Sequence, residues 1–96
     1  MLVLVCYDVA NDDAAGARRL RRIAEACKDR GVRVQYSLFE CRVGKREWVA
    51  LRQRLLDEAE LTKDSLRFYF LHADEETRCE HHGVRPPLDP TGPLIV

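Results

Sequence analysis

The sequence lacks the features that identify several common functional classes. No stretch of its 96 residues approaches the roughly 20 apolar residues of a membrane span, and the apolar N-terminus has neither a basic leader nor a small-residue cleavage site. There is no serine-histidine-aspartate arrangement, glycine-rich phosphate loop or RNA-binding aromatic signature. These absences predict one cytoplasmic domain without membrane contact, small enough that a partner would help to stabilise it.

The sequence has no C-x-x-C pair among its four cysteines. Three of them fall on inward positions of the elements inferred below, which favours reduced core residues over disulfides. Cys79, His81 and His82 resemble part of a soft-metal site, but a fourth ligand at a recognisable spacing is missing. Zinc is therefore the less favoured interpretation of this cluster.

Neither sign of charge is in excess, because 16 Lys and Arg residues balance 16 Asp and Glu residues. The charges are nevertheless unevenly distributed along the chain: residues 1–54 carry twelve basic against seven acidic side chains, and residues 55–96 carry four basic against nine acidic ones. This polarity permits a nucleic-acid-binding surface on the first half of the chain, although a solvated surface gives the same pattern.

The first eight residues form an apolar run that stops at a carboxylate, Asp8. A continuous apolar stretch is typical of a central strand, which places Asp8 where the strand leaves the core. There it is a candidate metal ligand or catalytic carboxylate, held on a rigid scaffold within reach of solvent. The alternative is that Asp8 caps the following loop by accepting hydrogen bonds from backbone N–H groups.

The helical period predicts two amphipathic helices. The first spans about residues 13–30, because Asn11-Asp12-Asp13 offers N-cap side chains and Gly31 a left-handed stop. Its apolar stripe consists of Leu20, Ile23, Ala24 and Cys27. The second helix follows Gly44, and its stripe consists of Trp48, Leu51, Leu55, Leu56 and Ala59.

Alternation of apolar and polar residues predicts further strands. Residues 32–35 and 37–43 have no Gly or Pro between them, so they form either two strands joined tightly near Tyr36 or one bent strand. Residues 66–71 are a half-buried strand and residues 79–82 a candidate short strand. Residues 85–93 are a proline-rich linker, which we expect to deliver the apolar tip 94–96 to a sheet edge of its own subunit or a neighbour's.

This element order is that of a ferredoxin-like α+β sandwich, with both helices on one face of an antiparallel sheet. We assign residues 1–84 to this domain and residues 85–96 to the linker and a C-terminal edge strand. The other face of the sheet needs a cover, which a second copy of the chain would supply. The C-terminal strand is then expected to pair across a homodimer.

Four arginines, Arg18, Arg19, Arg21 and Arg22, lie in the first half of the first helix, where the helix dipole disfavours cations. Phosphate oxygens suit both arginine side chains and a helix N-terminus, so this misfit favours a nucleic-acid partner. The alternative is pairing with Glu25 along the helix. Arg33 is predicted to point away from Val32 and Val34, towards a ligand or a second subunit.

Three stretches resemble the CRISPR-associated Cas2 family: Tyr7-Asp8-Val9, residues 31–41 with the sequence GVRVQYSLFEC, and residues 64–69 with the sequence DSLRFY. The tail at residues 89–96 resembles the branch of that family that accompanies type I-C systems. The resemblance implies a ferredoxin-like homodimer that works with the Cas1 integrase to capture foreign DNA as new spacers. It also implies a metal-dependent nuclease, acting on single-stranded RNA or double-stranded DNA.

The same resemblance implies roles for individual residues. The family's metal-binding aspartate falls on Asp8, and its functional aromatic and basic positions fall on Tyr7, Arg33 and Phe39. Its helix arginines correspond loosely to Arg18, Arg19 or Arg22. One carboxylate per chain is a poor site for Mg²⁺, or for Mn²⁺ in its place, but two copies of Asp8 facing across a twofold axis would hold the ion together with waters and phosphate oxygens.

Three hypotheses about function follow. In the first, the protein is a Mg²⁺-dependent endonuclease with Asp8 as the metal ligand. In the second, the dimer is a non-catalytic scaffold that holds duplex DNA for the integrase. The third and least favoured hypothesis is a toxin-like ribonuclease of the related VapD type.

Overall fold

The computed structural model of the protein describes residues 1–71 and 78–84, which form five strands and two helices. The strands are β1 (Leu2–Asp8), β2 (Gly31–Gln35), β3 (Leu38–Arg42), β4 (Ser65–Leu71) and β5 (Arg78–Gly83), and the helices are α1 (Ala14–Lys28) and α2 (Lys45–Glu58). Neither described helix is long and apolar enough to cross a membrane. The linker and edge strand inferred for residues 85–96 lie outside the described residues.

The five strands form one antiparallel sheet in the order β2-β3-β1-β4-β5. Strand β1 is central and pairs with β3 on one side and β4 on the other, as its continuous apolar run indicated. Both helices pack on the same face of the sheet. The predicted ferredoxin-like fold is confirmed, and the candidate strand at residues 79–82 is β5, which extends the sheet beyond β4.

The segment between the two helices is a hairpin of two strands, so the bent-strand alternative is wrong. Tyr36 and Ser37 form the turn, and Gln35 pairs with Leu38 immediately beside it. The register shifts between Arg33 and Gln35, as it does at a β-bulge. This irregularity lets the chain reverse direction without a glycine or proline.

The role predicted for Gly31 is wrong. Helix α1 already ends at Lys28, Gly31 begins β2, and Gly83 is the one glycine among the described residues with a positive φ. A Cβ atom at Gly31 would lie 2.5 Å from the carbonyl oxygen of Glu40 and 2.6 Å from Sγ of Cys41. Glycine is therefore needed here for the close approach of β3, and no left-handed turn is involved.

The hydrophobic core fills the space between the sheet and the two helices. The sheet contributes Val3, Val5, Tyr7, Phe39, Cys41, Leu66 and Phe68, and the helices contribute Ile23, Ala26, Cys27, Trp48, Leu51 and Leu55. All four cysteines are free thiols, as predicted, but only Cys27 and Cys41 are buried in this core. Cys6 alternates with Val5 and Tyr7 along β1, so its side chain lies on the opposite face of the sheet.

That opposite face, called the open face below, carries no described helix. Its central row consists of Leu2, Leu4, Cys6 and Asp8 of β1, and the register adds Leu38, Glu40 and Arg42 of β3 and Ser65, Arg67, Tyr69 and Leu71 of β4. Most of these apolar side chains are half-buried rather than exposed. The open face is therefore more apolar than a sheet surface that only contacts water.

Candidate functional site

Asp8 is the last residue of β1 and the one exposed residue of that strand. It lies on the open face and pairs in register with Ser65, the first residue of β4. Pairing with β4 fixes the backbone of Asp8, while its carboxylate reaches the surface. This position fits both interpretations of Asp8 from the sequence, a metal ligand and a loop cap.

Tyr7, Arg33 and Phe39 come together on the other face of the sheet, beside the helices. The guanidinium carbon of Arg33 lies 5.1 Å from the centre of the Phe39 ring, a cation-π distance. The rings of Tyr7 and Phe39 are 6.2 Å apart, and the Tyr7 hydroxyl donates a hydrogen bond of 3.1 Å to the Tyr36 carbonyl. Burial raises the pKa of Tyr7, partly offset by the hydrogen bond with Arg33. Tyr7 therefore stays protonated at neutral pH.

The four residues assigned to catalysis from the sequence therefore form two groups on opposite faces. Tyr7 and Phe39 are buried, so their rings hold Arg33 in place and do not reach a polymeric substrate. Arg33 itself is exposed. Within one protomer, Asp8 and Arg33 face different directions. The alternation of side chains along a strand was already a signal for this separation, since Tyr7 and Asp8 are consecutive.

The cluster around Arg33 borders a cleft between α1 and the hairpin. The charged lining consists of Arg21 and Lys28 of α1, Arg33 of β2 and one carboxylate, Glu25. Tyr36, 91% exposed, stands at its rim on the hairpin turn. The surplus of cations and the exposed ring are suited to a phosphate backbone with accessible bases.

The arginines of α1 differ in their surroundings. Arg18 is exposed, and Arg22 lies 3.7 Å from the Glu58 carboxylate of α2, in a partly exposed ion pair. Arg19 is turned inward, and its Nε donates to Oδ2 of Asp64 at 2.9 Å. Its guanidinium is engaged inside the protein, so among the three arginines assigned to nucleic acid from the sequence only Arg18 and Arg22 are at the surface.

Asp64 is a residue whose importance the sequence did not reveal. It directly precedes β4, and its side chain is fully buried. Burial alone would raise its pKa, but hydrogen bonds from Arg19 and from the backbone N–H groups of Glu60 and Ala10 outweigh this effect and lower the pKa. Asp64 is therefore a carboxylate at neutral pH.

The described residues contain no cluster of three or more His, Cys, Asp or Glu side chains able to surround a metal ion. Zinc at Cys79, His81 and His82 is disfavoured by strand geometry, because Cys79 and His81 point to the open face while His82 points to the other face and contacts Glu80. The carboxylate oxygens of Asp8 are hard ligands, which suit Mg²⁺ or Mn²⁺. One protomer supplies only part of such a site.

Comparison with known proteins identifies the family of this chain. The sequence profile described as "CRISPR associated protein Cas2" matches residues 1–79. The chain is 55% identical over 96 residues to the "CRISPR-associated endoribonuclease Cas2" of Nitratidesulfovibrio vulgaris, covering all of this chain and 94% of that protein. It is 43% identical over 95 residues to the "CRISPR-associated endonuclease Cas2" of Halalkalibacterium halodurans, covering 99% of each chain. The chain belongs to the Cas2 family.

Solved structures agree with this assignment. The crystal structure of Streptococcus pyogenes Cas2 at pH 6.5 superposes with a TM-score of 0.71 and 46% sequence identity, covering 77% of this chain and 89% of that one. A hypothetical protein from Thermus thermophilus superposes with a TM-score of 0.65 and 35% identity, covering 78% and 85% of the two chains.

Proposed function

We propose that this protein is a metal-dependent endonuclease of CRISPR adaptation, which hydrolyses phosphodiester bonds as a homodimer and works with the Cas1 integrase. The observation that carries the proposal is the exposed carboxylate of Asp8 at one end of the half-buried, apolar open face. Membership of the Cas2 family supports the role in adaptation, and the names of relatives as endoribonuclease or endonuclease support the activity.

The open face is where a second copy would pack. Its apolar residues lie beside Asp8, so a twofold axis through this face would bring two Asp8 carboxylates towards each other. Two carboxylates with several waters are a common environment for Mg²⁺, and Mn²⁺ has similar ligand preferences. A second copy would supply ligands that the described residues of one chain do not bring together.

The bound ion would supply Lewis acidity and an activated water for attack on phosphorus. The protein's own residues would bind and orient the substrate. Arg33, held by the rings of Tyr7 and Phe39, would contact the phosphate backbone along the basic cleft, and Arg18 and Arg22 would extend this contact along α1. The substrate must then span from the cleft of one protomer to the Asp8 pair, because the two groups lie on opposite faces of the sheet.

A nuclease assay of the wild-type protein and Asp8→Asn tests the catalytic proposal. Both proteins are incubated with single-stranded RNA and double-stranded DNA, with and without Mg²⁺ or Mn²⁺. Wild-type cleavage that requires the ion, and that Asp8→Asn abolishes, is the expected result. Asp12→Asn is the matched control, because Asp12 is an exposed carboxylate of the loop that follows β1. This variant should cleave both substrates as the wild type does. Cleavage by wild type without added metal would contradict the metal role.

The second candidate is a scaffold that holds DNA for the integrase without cleaving it. It is favoured by the separation of Arg33 from Asp8, since a binding surface needs no carboxylate nearby. Spacer acquisition with the integrase should survive Asp8→Asn if the scaffold hypothesis is right, and should fail if cleavage is essential.

A type I-C affiliation, proposed from the sequence of residues 89–96, is tested by the genes that surround the coding sequence. A neighbouring CRISPR array would also argue against the VapD-type toxin hypothesis.

A further inference from the structure

The carboxylate of Asp64 is fully buried and accepts hydrogen bonds at both oxygens. Its Oδ1 accepts from the backbone N–H of Ala10 at 3.0 Å, and its Oδ2 accepts from the backbone N–H of Glu60 at 2.9 Å. The Arg19 guanidinium donates to both, through Nε to Oδ2 at 2.9 Å and through Nη2 to Oδ1 at 3.3 Å. One side chain thus joins α1, the loop after β1 and the loop after α2.

The Asp64-Arg19 pair holds both backbone polar groups of Ala10. Asp64 binds its N–H, and Nη2 of Arg19 donates to its carbonyl oxygen at 3.1 Å. The first turn of α1 lies against the same carbonyl, since a Cβ atom at Gly16 would collide with it. Ala10 is therefore fixed from three directions.

Ala10 is two residues beyond Asp8, and Asp64 directly precedes Ser65, the register partner of Asp8. The buried carboxylate thus fixes the chain just after Asp8 and also the start of the strand beside it. A third link comes from the residue after β5, because the backbone N–H of Val84 donates to the Asp64 carbonyl at 3.2 Å. Asp64 has no surface of its own through which to contact a substrate.

We propose that Asp64, together with Arg19, is a positioning residue for Asp8: it holds the chain just after Asp8 and the start of the neighbouring strand β4, so that the exposed carboxylate keeps the geometry needed to bind a divalent ion. This inference rests on the proposed function of Asp8. It assigns the buried ion pair a role beyond packing. An apolar pair of similar volume often gives equal or greater stability, whereas charged groups orient the hydrogen-bonded backbone.

Mn²⁺ binding, measured by electron paramagnetic resonance on the full-length protein, separates positioning from stability. The variants are Asp64→Asn, which replaces one acceptor oxygen by a donor, and Arg19→Lys, which keeps the charge but loses the two-pronged contact. Loss of a group that hydrogen-bonds a metal ligand weakens metal affinity by about 10- to 100-fold. Because Asp64 acts on Asp8 through the backbone, we expect a change at the lower end of this range in Asp64→Asn and a smaller one in Arg19→Lys, at temperatures where both are folded.

The matched control is Leu55→Ala, which removes a fully buried side chain of α2 that takes no part in the hydrogen bonds of Asp64. It should lower the melting temperature while leaving Mn²⁺ affinity unchanged. Hydrogen exchange at the Ala10 amide gives a second readout: the amide should be protected in wild type and in Leu55→Ala, and should exchange faster in Asp64→Asn.

Two failures are distinguishable. If wild type binds no Mn²⁺, or if Asp8→Asn binds it as tightly as wild type does, the proposed function of Asp8 is wrong. The positioning role of Asp64 is then wrong as well. If wild-type binding depends on Asp8 but Asp64→Asn and Arg19→Lys bind as tightly as wild type, only the positioning role is wrong. Should Asp64→Asn fail to fold, Arg19→Lys alone decides between these results.

Discussion

Tyr7 and Asp8 are consecutive residues of β1, yet their side chains lie on opposite faces of the sheet. Tyr7 packs among the helices with Phe39 and Arg33, while Asp8 is exposed on the open face. Binding of the substrate backbone and binding of the metal ion should therefore be separable by mutation.

The first prediction concerns this separation. Arg33→Ala should weaken binding of single-stranded RNA and of duplex DNA, because a phosphate contact is lost, while Mn²⁺ affinity stays at the wild-type value. Binding is measured by fluorescence anisotropy at several salt concentrations, and the slope of affinity against salt should become less steep. Arg54→Ala is the control, since Arg54 is an exposed arginine that pairs with Asp29 and does not line the cleft around Arg33. Equal losses of nucleic-acid affinity in Arg33→Ala and Arg54→Ala would show that Arg33 has no specific role in binding.

The second prediction concerns the proposed homodimer. Leu4→Arg places a long charged side chain in the middle of the open face, and burying it in an interface is costly even beside Glu40, its register partner, so the protein should become monomeric. Val49→Arg, at a residue of α2 that is 65% exposed, should remain a dimer. Light scattering coupled to size-exclusion chromatography measures both masses. A Leu4→Arg protein that stays dimeric would place the interface elsewhere.

Thiol labelling gives a third, independent test of which face is covered. Cys27 and Cys41 are in the core, and burial raises their pKa to about 12 and about 11, so both should resist maleimide in the folded protein. Cys79 is exposed in the protomer, and its strand register places it on the open face. It should be slow to react in the dimer and faster in Leu4→Arg, with Cys79→Ser as the control that identifies the signal. Fast labelling of Cys79 in a proven dimer would contradict packing through this face.

The fourth prediction concerns Asp64 and stability. Asp64→Ala leaves Arg19 without its buried partner and should lower the free energy of unfolding by about 3 to 5 kcal/mol. Urea unfolding at neutral pH measures this loss. A change as small as that of Asp29→Ala, which removes one partner of an exposed ion pair, would show that Asp64 carries little of the stability.

The lowered pKa of Asp64 predicts that the stability of the protein depends on pH. Because the folded state holds the pKa of Asp64 below its ordinary value of 3.8, the stabilising effect is complete above that pH and is lost as the pH falls towards the folded-state pKa. Wild type should therefore lose more stability than Asp64→Asn in the acidic range below about pH 4. Unfolding midpoints measured between pH 7 and pH 3 test this difference. Parallel curves for the two proteins would contradict it.

The fold was predictable from the sequence because each element carried its own signal. The apolar run of β1 indicated a central strand, and the helical stripes containing Ile23 and Trp48 placed both helices against the core. Gly31 was misinterpreted because a glycine before a strand suits a helix stop and a close approach equally well. Only the position of β3 distinguishes the two.

The candidate site was only partly predictable. Asp8 and the neighbourhood of Arg33 followed from strand ends, alternation and family resemblance. The sequence did not show which of the four neighbouring arginines of α1 turns inward. Arg18, Arg19, Arg21 and Arg22 have the same chemistry, and the partner of Arg19 lies 45 residues away. A contact of that kind is set by tertiary packing, which local patterns do not encode.

Metal stoichiometry tests the central claim most directly. Mn²⁺ is titrated by isothermal calorimetry into wild type and Asp8→Asn, with the oligomeric state measured on the same samples. We expect one ion for every two wild-type chains and no comparable binding by Asp8→Asn. One tightly bound ion per chain in a monomer, or unchanged binding after Asp8→Asn, would contradict a site built from two Asp8 carboxylates.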